Sequence, residues 1–110
     1  MAEKIQSYRQ FWPYYLGEHR RRGTRALHYF GTSLGLVALI AAIVLASWPL
    51  AVAAVISGYA FAWIGHAFVE RNRPATFTYP FWSLFSDFRM YFLAIGGKLG
   101  KELSRNQIVD

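Results

Sequence analysis

Three histidines and a glutamate carry what chemistry this chain can do. His66 and Glu70 stand four residues apart, which on a helix is one face. His28 lies in an earlier apolar segment, and His19 in a polar stretch just before it. Imidazole and carboxylate in a chain without cysteine form a ligand set for iron(II), manganese or zinc. Two or three imidazoles with one carboxylate and open positions suit a non-haem iron centre that activates O₂. A plainer reading has ordinary interfacial histidines, with Glu70 paired to Arg71, Arg73 or Arg25. Depth brings the metal reading level with the plainer one. If two straight antiparallel helices turn near Pro49, His28 lies 21 residues before the turn and Glu70 21 after it. Those two are then level, with His66 within about 6 Å of them along the axis. His19, on the adjoining loop, reaches the same place.

The elements that must position these groups follow from the charge pattern. The net charge of +6 raises the question of nucleic acid, but the placement of the charges answers it. Residues 30–69 hold no Lys, Arg, Asp or Glu, and arginines and lysines flank that block on both sides. This is a membrane pattern, and no nucleic-acid partner is expected. The expected fold is all-α: an integral membrane helical hairpin with flanking interfacial or additional membrane helices. Residues 1–110 are read as a single membrane domain, with residues 25–48 and 50–70 as the main hairpin. Thr24 is the expected N-cap of the first span, and Trp48-Pro49 its expected end. Gly31, Gly35, Ala38, Ala42 and Ala46 form one small-residue stripe, and Ala51, Ala54, Gly58, Ala62 and Gly65 the matching one. Gly35 and Gly58 are expected where the two backbones approach most closely.

Residues 3–16 read as an amphipathic helix on Ile5, Tyr8, Phe11, Trp12 and Tyr15, with Pro13 as a candidate break. It either lies on the membrane interface or packs on the rest of the chain. Residues 80–96 carry Asp87 and Arg89 in an aromatic setting, and form a third membrane segment or an interfacial helix. Residues 98–110 are a polar tail. The basic flanks place both termini in the cytoplasm, in a bacterial inner membrane or, in a eukaryote, the endoplasmic reticulum. Residues 1–23 lack the apolar core and cleavage site of a signal peptide.

Smaller roles can be assigned along this frame. Arg20, Arg21 and Arg22 meet anionic lipid headgroups or hold a substrate carboxylate. Tyr59 and Trp63 precede His66 by seven and three residues, and either line a pocket beside the metal or pack as ordinary aromatics. Asp87 is the reserve metal ligand or an outer group. The absence of cysteine excludes thiolate zinc sites and thiol nucleophiles, and there is neither a Gly-rich phosphate loop nor a GxSxG element.

Two stretches, YYLGEHRRRGTRALHYFGTSL and YAFAWIGHAFVERNRPATFTYPFWSLFSDFRMY, resemble the signature blocks of the yeast 2-hydroxy fatty acid dioxygenase family. The resemblance runs from Tyr14 to Tyr91. It implies a small membrane enzyme that depends on iron(II) and O₂ and removes one carbon from 2-hydroxy fatty acids by α-oxidation. It carries over Glu18, His19 and His28 from the first block. The second block gives His66, Glu70, Asn72, Arg73 and Pro74, then Asp87 and Arg89. The resulting expectation is a site with Fe(2+) on His19, His28, His66 and Glu70. Glu70, Arg73 and Asp87 are the catalytic candidates. Arg20, Arg22, Arg73, Tyr59 and Trp63 are the substrate-binding ones. The implied partners are a 2-hydroxy fatty acid, O₂ and the lipid bilayer, with oligomerisation left open. The rival readings are a non-enzymatic lipid-binding or scaffold protein and a zinc-dependent lipid hydrolase.

Overall fold

The structure, a computed structural model, describes residues 4–108. Glu3, at the expected start of the first helix, and residues 109–110 of the tail lie outside the described residues. Among the described residues five α-helices follow in order: α1 Tyr8–Gly17, α2 Arg22–Val44, α3 Trp48–Ile64, α4 Pro80–Ile95 and α5 Leu99–Arg105. A π-helical turn, Gly65–Glu70, extends α3, and a short 3₁₀ turn, Ala75–Phe77, precedes α4. Among the described residues none forms a strand, so the fold is all-α.

Helices α2 and α3 form an antiparallel hairpin, and α2 and the run Trp48–Glu70, α3 with its π-helical turn, are each long and apolar enough to cross a membrane. The turn between them falls at Leu45–Ser47, three residues earlier than Trp48–Leu50. Ala46 takes a left-handed conformation there, with φ of 50°, and Ser47 caps α3 by accepting from the Leu50 N–H. Pro49 therefore opens α3 instead of closing α2. Its missing N–H costs nothing in the first turn of a helix, so either reading was open to it. Ala46 leaves the helical stripe for the same reason. Thr24 is not a cap either: Arg21 holds that position, and Thr24 is buried one turn inside α2.

The hairpin closes where α2 has no side chains. A Cβ on Gly31 would stand 2.9 Å from both the Phe61 Cβ and the Ser57 carbonyl, and one on Gly35 would stand 3.0 Å from the Ala54 carbonyl. Gly58 is different. Its own backbone lies in the seam, with its carbonyl oxygen 3.3 Å from where a Gly31 Cβ would stand, but a Cβ on Gly58 itself meets nothing within 4 Å and projects into open space.

The hydrophobic core lies outside the hairpin. Phe11, Trp12, Tyr15 and Leu16 of α1 are buried against Ala75, Met90 of α4 and Leu99 of α5. Helix α1 is thus packed on the rest of the chain. Ser7 caps it by accepting from the Gln10 N–H, and it runs unbroken through Pro13. An interior proline costs a helix about 3 kcal/mol, which the burial of four large side chains offsets. Arg89 ties the same region together. Its guanidinium lies 4.0 Å from the Trp12 ring centre and 3.8 Å from the Glu102 carboxylate, to which the Trp12 indole also donates.

The hairpin's outer surface is apolar and uncovered. Val44 is 75% exposed, Trp48 76% and Phe68 75%, and Phe81 on α4 reaches 85%. Soluble monomers rarely expose contiguous apolar patches beyond a few hundred Å².

Candidate metal centre

Each histidine arrives on a different element. His19 lies in the turn after α1. Arg25, buried on α2, reaches back and donates to the carbonyls of His19 at 2.9 Å and Arg20 at 2.6 Å, which pins that turn. His28 lies on α2. His66 lies in the π-helical turn that ends α3, a distortion found disproportionately at functional sites. Arg71 then enters the left-handed region, with φ of 61°, and stops the helix. The chain folds back so that Asn72 meets His66 twice. Its N–H donates to the His66 carbonyl at 2.9 Å, and its Oδ1 accepts from His66 Nδ1 at 2.6 Å.

All three rings are buried, and their Nε2 atoms converge. His19 Nε2 is 3.0 Å from His28 Nε2 and 3.0 Å from His66 Nε2, and the last two are 3.5 Å apart. The partners on the far side of the rings decide where the protons are. His19 Nδ1 donates to the Tyr15 carbonyl at 2.8 Å, and a carbonyl can only accept. The Asn72 amide donates its Nδ2 to the Glu18 carbonyl at 3.0 Å, which turns its Oδ1 to His66 Nδ1. His28 Nδ1 faces the Asp87 carboxylate at 3.7 Å. Hydrogen bonds thus put the proton on Nδ1 of His19 and His66, and the Asp87 carboxylate, beyond hydrogen-bond reach, attracts it to Nδ1 of His28; three Nε2 lone pairs then point at one another.

Such lone pairs repel unless a cation lies among them. A proton is disfavoured, because burial, followed by the neighbouring His28 and His66, pushes the His19 imidazole well below its ordinary pKa. A metal ion satisfies all three at once. Nitrogens bound at about 2.1 Å stand roughly 3.0 Å apart across an octahedral angle and about 3.4 Å across a tetrahedral one. The observed separations fall on those values, so the three imidazoles fit one face of a metal's coordination shell.

Asp87 completes the surroundings. Its Oδ1 accepts from the Tyr15 hydroxyl at 2.5 Å, and burial pushes its carboxyl up to about 7. Tyr15 thus serves two histidines, holding His19 through its carbonyl and Asp87 beside His28 through its hydroxyl. Its ring also stacks on His19 at 4.1 Å. Tyr15 and Arg25 were given no site role from sequence. Tyr15 sits four residues before His19, one helical turn, and that spacing was the available signal.

The other candidates are dispersed. Glu70 accepts from the Arg21 backbone N–H at 2.5 Å and is not among the converging groups. The earlier turn explains this: His28 lies 18 residues before Ala46 and His66 lies 20 after it, so these two are level. Glu70 falls a turn further out, at the start of α2. Arg73 is exposed and lies over the Phe77 ring at 5.2 Å. Arg20 and Arg22 are exposed beside the start of α2. Trp63 lines a small cleft against the three histidines, together with Ser83, whose buried hydroxyl has no hydrogen-bond partner among the described residues.

Tyr59 lies in a larger space. A groove of about 370 Å³ runs between α2, α3 and α4, with His28 and Asp87 among its lining residues and Leu39 and Ala51 further along the hairpin. Its remaining walls are almost wholly apolar, Leu36, Val55 and Phe88 among them. A polar, metal-competent head therefore opens into an apolar trough.

No curated protein and no solved structure matches the chain significantly. A family model does, over residues 5–99, a span that holds all three histidines, Tyr15, Asn72 and Asp87. Its description is 2-hydroxy-palmitic acid dioxygenase Mpo1-like, and the chain belongs to that family.

Proposed function

We propose that this protein is a membrane-embedded, iron(II)-dependent dioxygenase that shortens 2-hydroxy fatty acids by one carbon. The observation that carries the reading is the convergence of three Nε2 lone pairs at the head of an apolar groove. Family membership supports the substrate class, and the uncovered apolar faces of α2 and α3 support insertion of the hairpin in a bilayer.

His19, His28 and His66 would hold the iron. Bound iron(II) would supply the one-electron chemistry that lets O₂ react with a closed-shell organic acid. The overall reaction balances without a further reductant. A 2-hydroxy acid and O₂ give the acid one carbon shorter, CO₂ and water, with four electrons passing from substrate to O₂. The protein's own part is placement. The Tyr15 carbonyl and Asn72 hold the rings of His19 and His66 by hydrogen bonds, and the Asp87 carboxylate lies beside His28. Burial of the rings keeps bulk water off the reacting end. The groove takes the alkyl chain, which leaves the carboxylate and hydroxyl end beside His28 and Asp87. The unpartnered Ser83 hydroxyl is available to a substrate oxygen in the small cleft.

The test uses detergent-purified protein loaded anaerobically with iron(II). Adding a long-chain 2-hydroxy acid and air should consume one O₂ per acid and release one CO₂ and the shortened acid. Tight zinc with no O₂ uptake under these conditions would overturn the reading in favour of a hydrolase.

A further inference from the structure

Gly58 occupies an unusual place in the hairpin. The other close glycines, Gly31 and Gly35, are required by the facing backbone, whereas a Cβ on Gly58 would project into open space. That space is the groove, which Gly58 lines together with Gly35, Ala51 and Ala54. We propose that Gly58 sets the length of acyl chain the groove accepts, by leaving the trough unblocked partway along its length. This inference rests on the reading of the groove as the alkyl-chain site.

Position along α3 fixes where the block would fall. Gly58 is eight residues from His66, or about 12 Å along a helix, and Ala51 is about 10 Å further. An extended alkyl chain advances roughly 1.3 Å per carbon on bonds of ~1.5 Å. An eight-carbon acid anchored at the histidines ends near Gly58. A sixteen-carbon acid must pass it and run on between Leu39 and Ala51. Continuity of the groove with His28 and Asp87 names the occupant: a chain whose head is polar and acidic and whose body is a long, unbranched hydrocarbon. A Cβ at position 58 meets nothing within 4 Å, so a leucine there starts into the trough and not against the α2 backbone.

The experiment compares wild type, Gly58→Ala, Gly58→Leu and Ala51→Leu as iron-loaded proteins in detergent. A fluorescent polyene fatty acid is bound and displaced by 2-hydroxyoctanoate or 2-hydroxypalmitate. In wild type the longer acid should displace at the lower concentration, since each buried methylene adds about fourfold in affinity. Gly58→Leu should abolish most of that advantage and change octanoate displacement little. Gly58→Ala should show a smaller loss, and Ala51→Leu should cut only the last part of the chain-length gain. Iron content should match wild type in all four. Equal chain-length preference in Gly58→Leu and wild type would overturn the proposal, as would failure of the long acid to displace the probe from wild type. Length-dependent displacement without turnover would uphold the groove while overturning the reaction assigned to it, so the two readings fail separately.

Discussion

His66 shows how a side chain is oriented by what lies behind it. Asn72 accepts its Nδ1 proton and is itself fixed by the Glu18 carbonyl, so the Nε2 lone pair is aimed before any ion arrives. Asn72→Ala removes that acceptor and the tie to Glu18. Metal affinity should fall about 10–100-fold, as for other loss of groups that orient metal-bound histidines. Glu70→Gln is the contrast. Glutamine still accepts from the Arg21 N–H, and affinity should stay at the wild-type level. Chelator competition on the purified variants gives both numbers. Equal affinities for Asn72→Ala and wild type would show that His66 does not depend on this bond. At this scale the histidines were legible, because few residue types bind metals and three of them bracketed one membrane depth. Their supports were less so. Tyr15 acts partly through a backbone carbonyl, which leaves no mark on side-chain chemistry, and Asn72 entered only through family resemblance. Glu70 misled because four-residue spacing reports a shared face and not a shared height.

Helix α2 meets α3 through glycine, and the seam is specific about which glycine. Gly31→Ala forces a Cβ to 2.9 Å from Phe61 and Ser57, where a carbonyl cannot give way as a flexible side chain can. Such overpacking typically costs 1–3 kcal/mol, and thermal unfolding in detergent should register it as a lowered midpoint. Gly58→Leu, larger by three carbons, should unfold close to wild type. A reversal of that order would show that the seam makes room for a Cβ at Gly31 and that the space beside Gly58 does not take a side chain. The hairpin itself was plain from forty uncharged residues, and the two stripes were seen. What the stripes lacked was phase. Proline serves a helix start as well as it marks a helix end, so the expected turn falls three residues late, and Glu70 is misplaced with it. Helix α4 was left between two readings for a related reason: its exposed Phe81, Phe85 and Phe92 favour lipid, while Ser83, Ser86 and Met90 on the other side are buried against protein.

The molecule as a whole divides its labour between two parts. The hairpin presents apolar surface outward and holds two of the histidines where its helices meet the charged flanks. A cap of α1, α4 and α5 supplies the packed core, and from it come His19, Tyr15 and Asp87. The centre exists only when the cap sits on the hairpin, since no single element carries two histidines. The buried rings, their converging Nε2 atoms and the apolar groove lie side by side. The most direct test is iron per chain, by elemental analysis after anaerobic loading and desalting, in wild type, His19→Ala, His28→Ala and His66→Ala, with helicity checked by circular dichroism. The account predicts close to one iron in wild type and little in each helical variant. Full iron occupancy in both the His28 and His66 variants would contradict it.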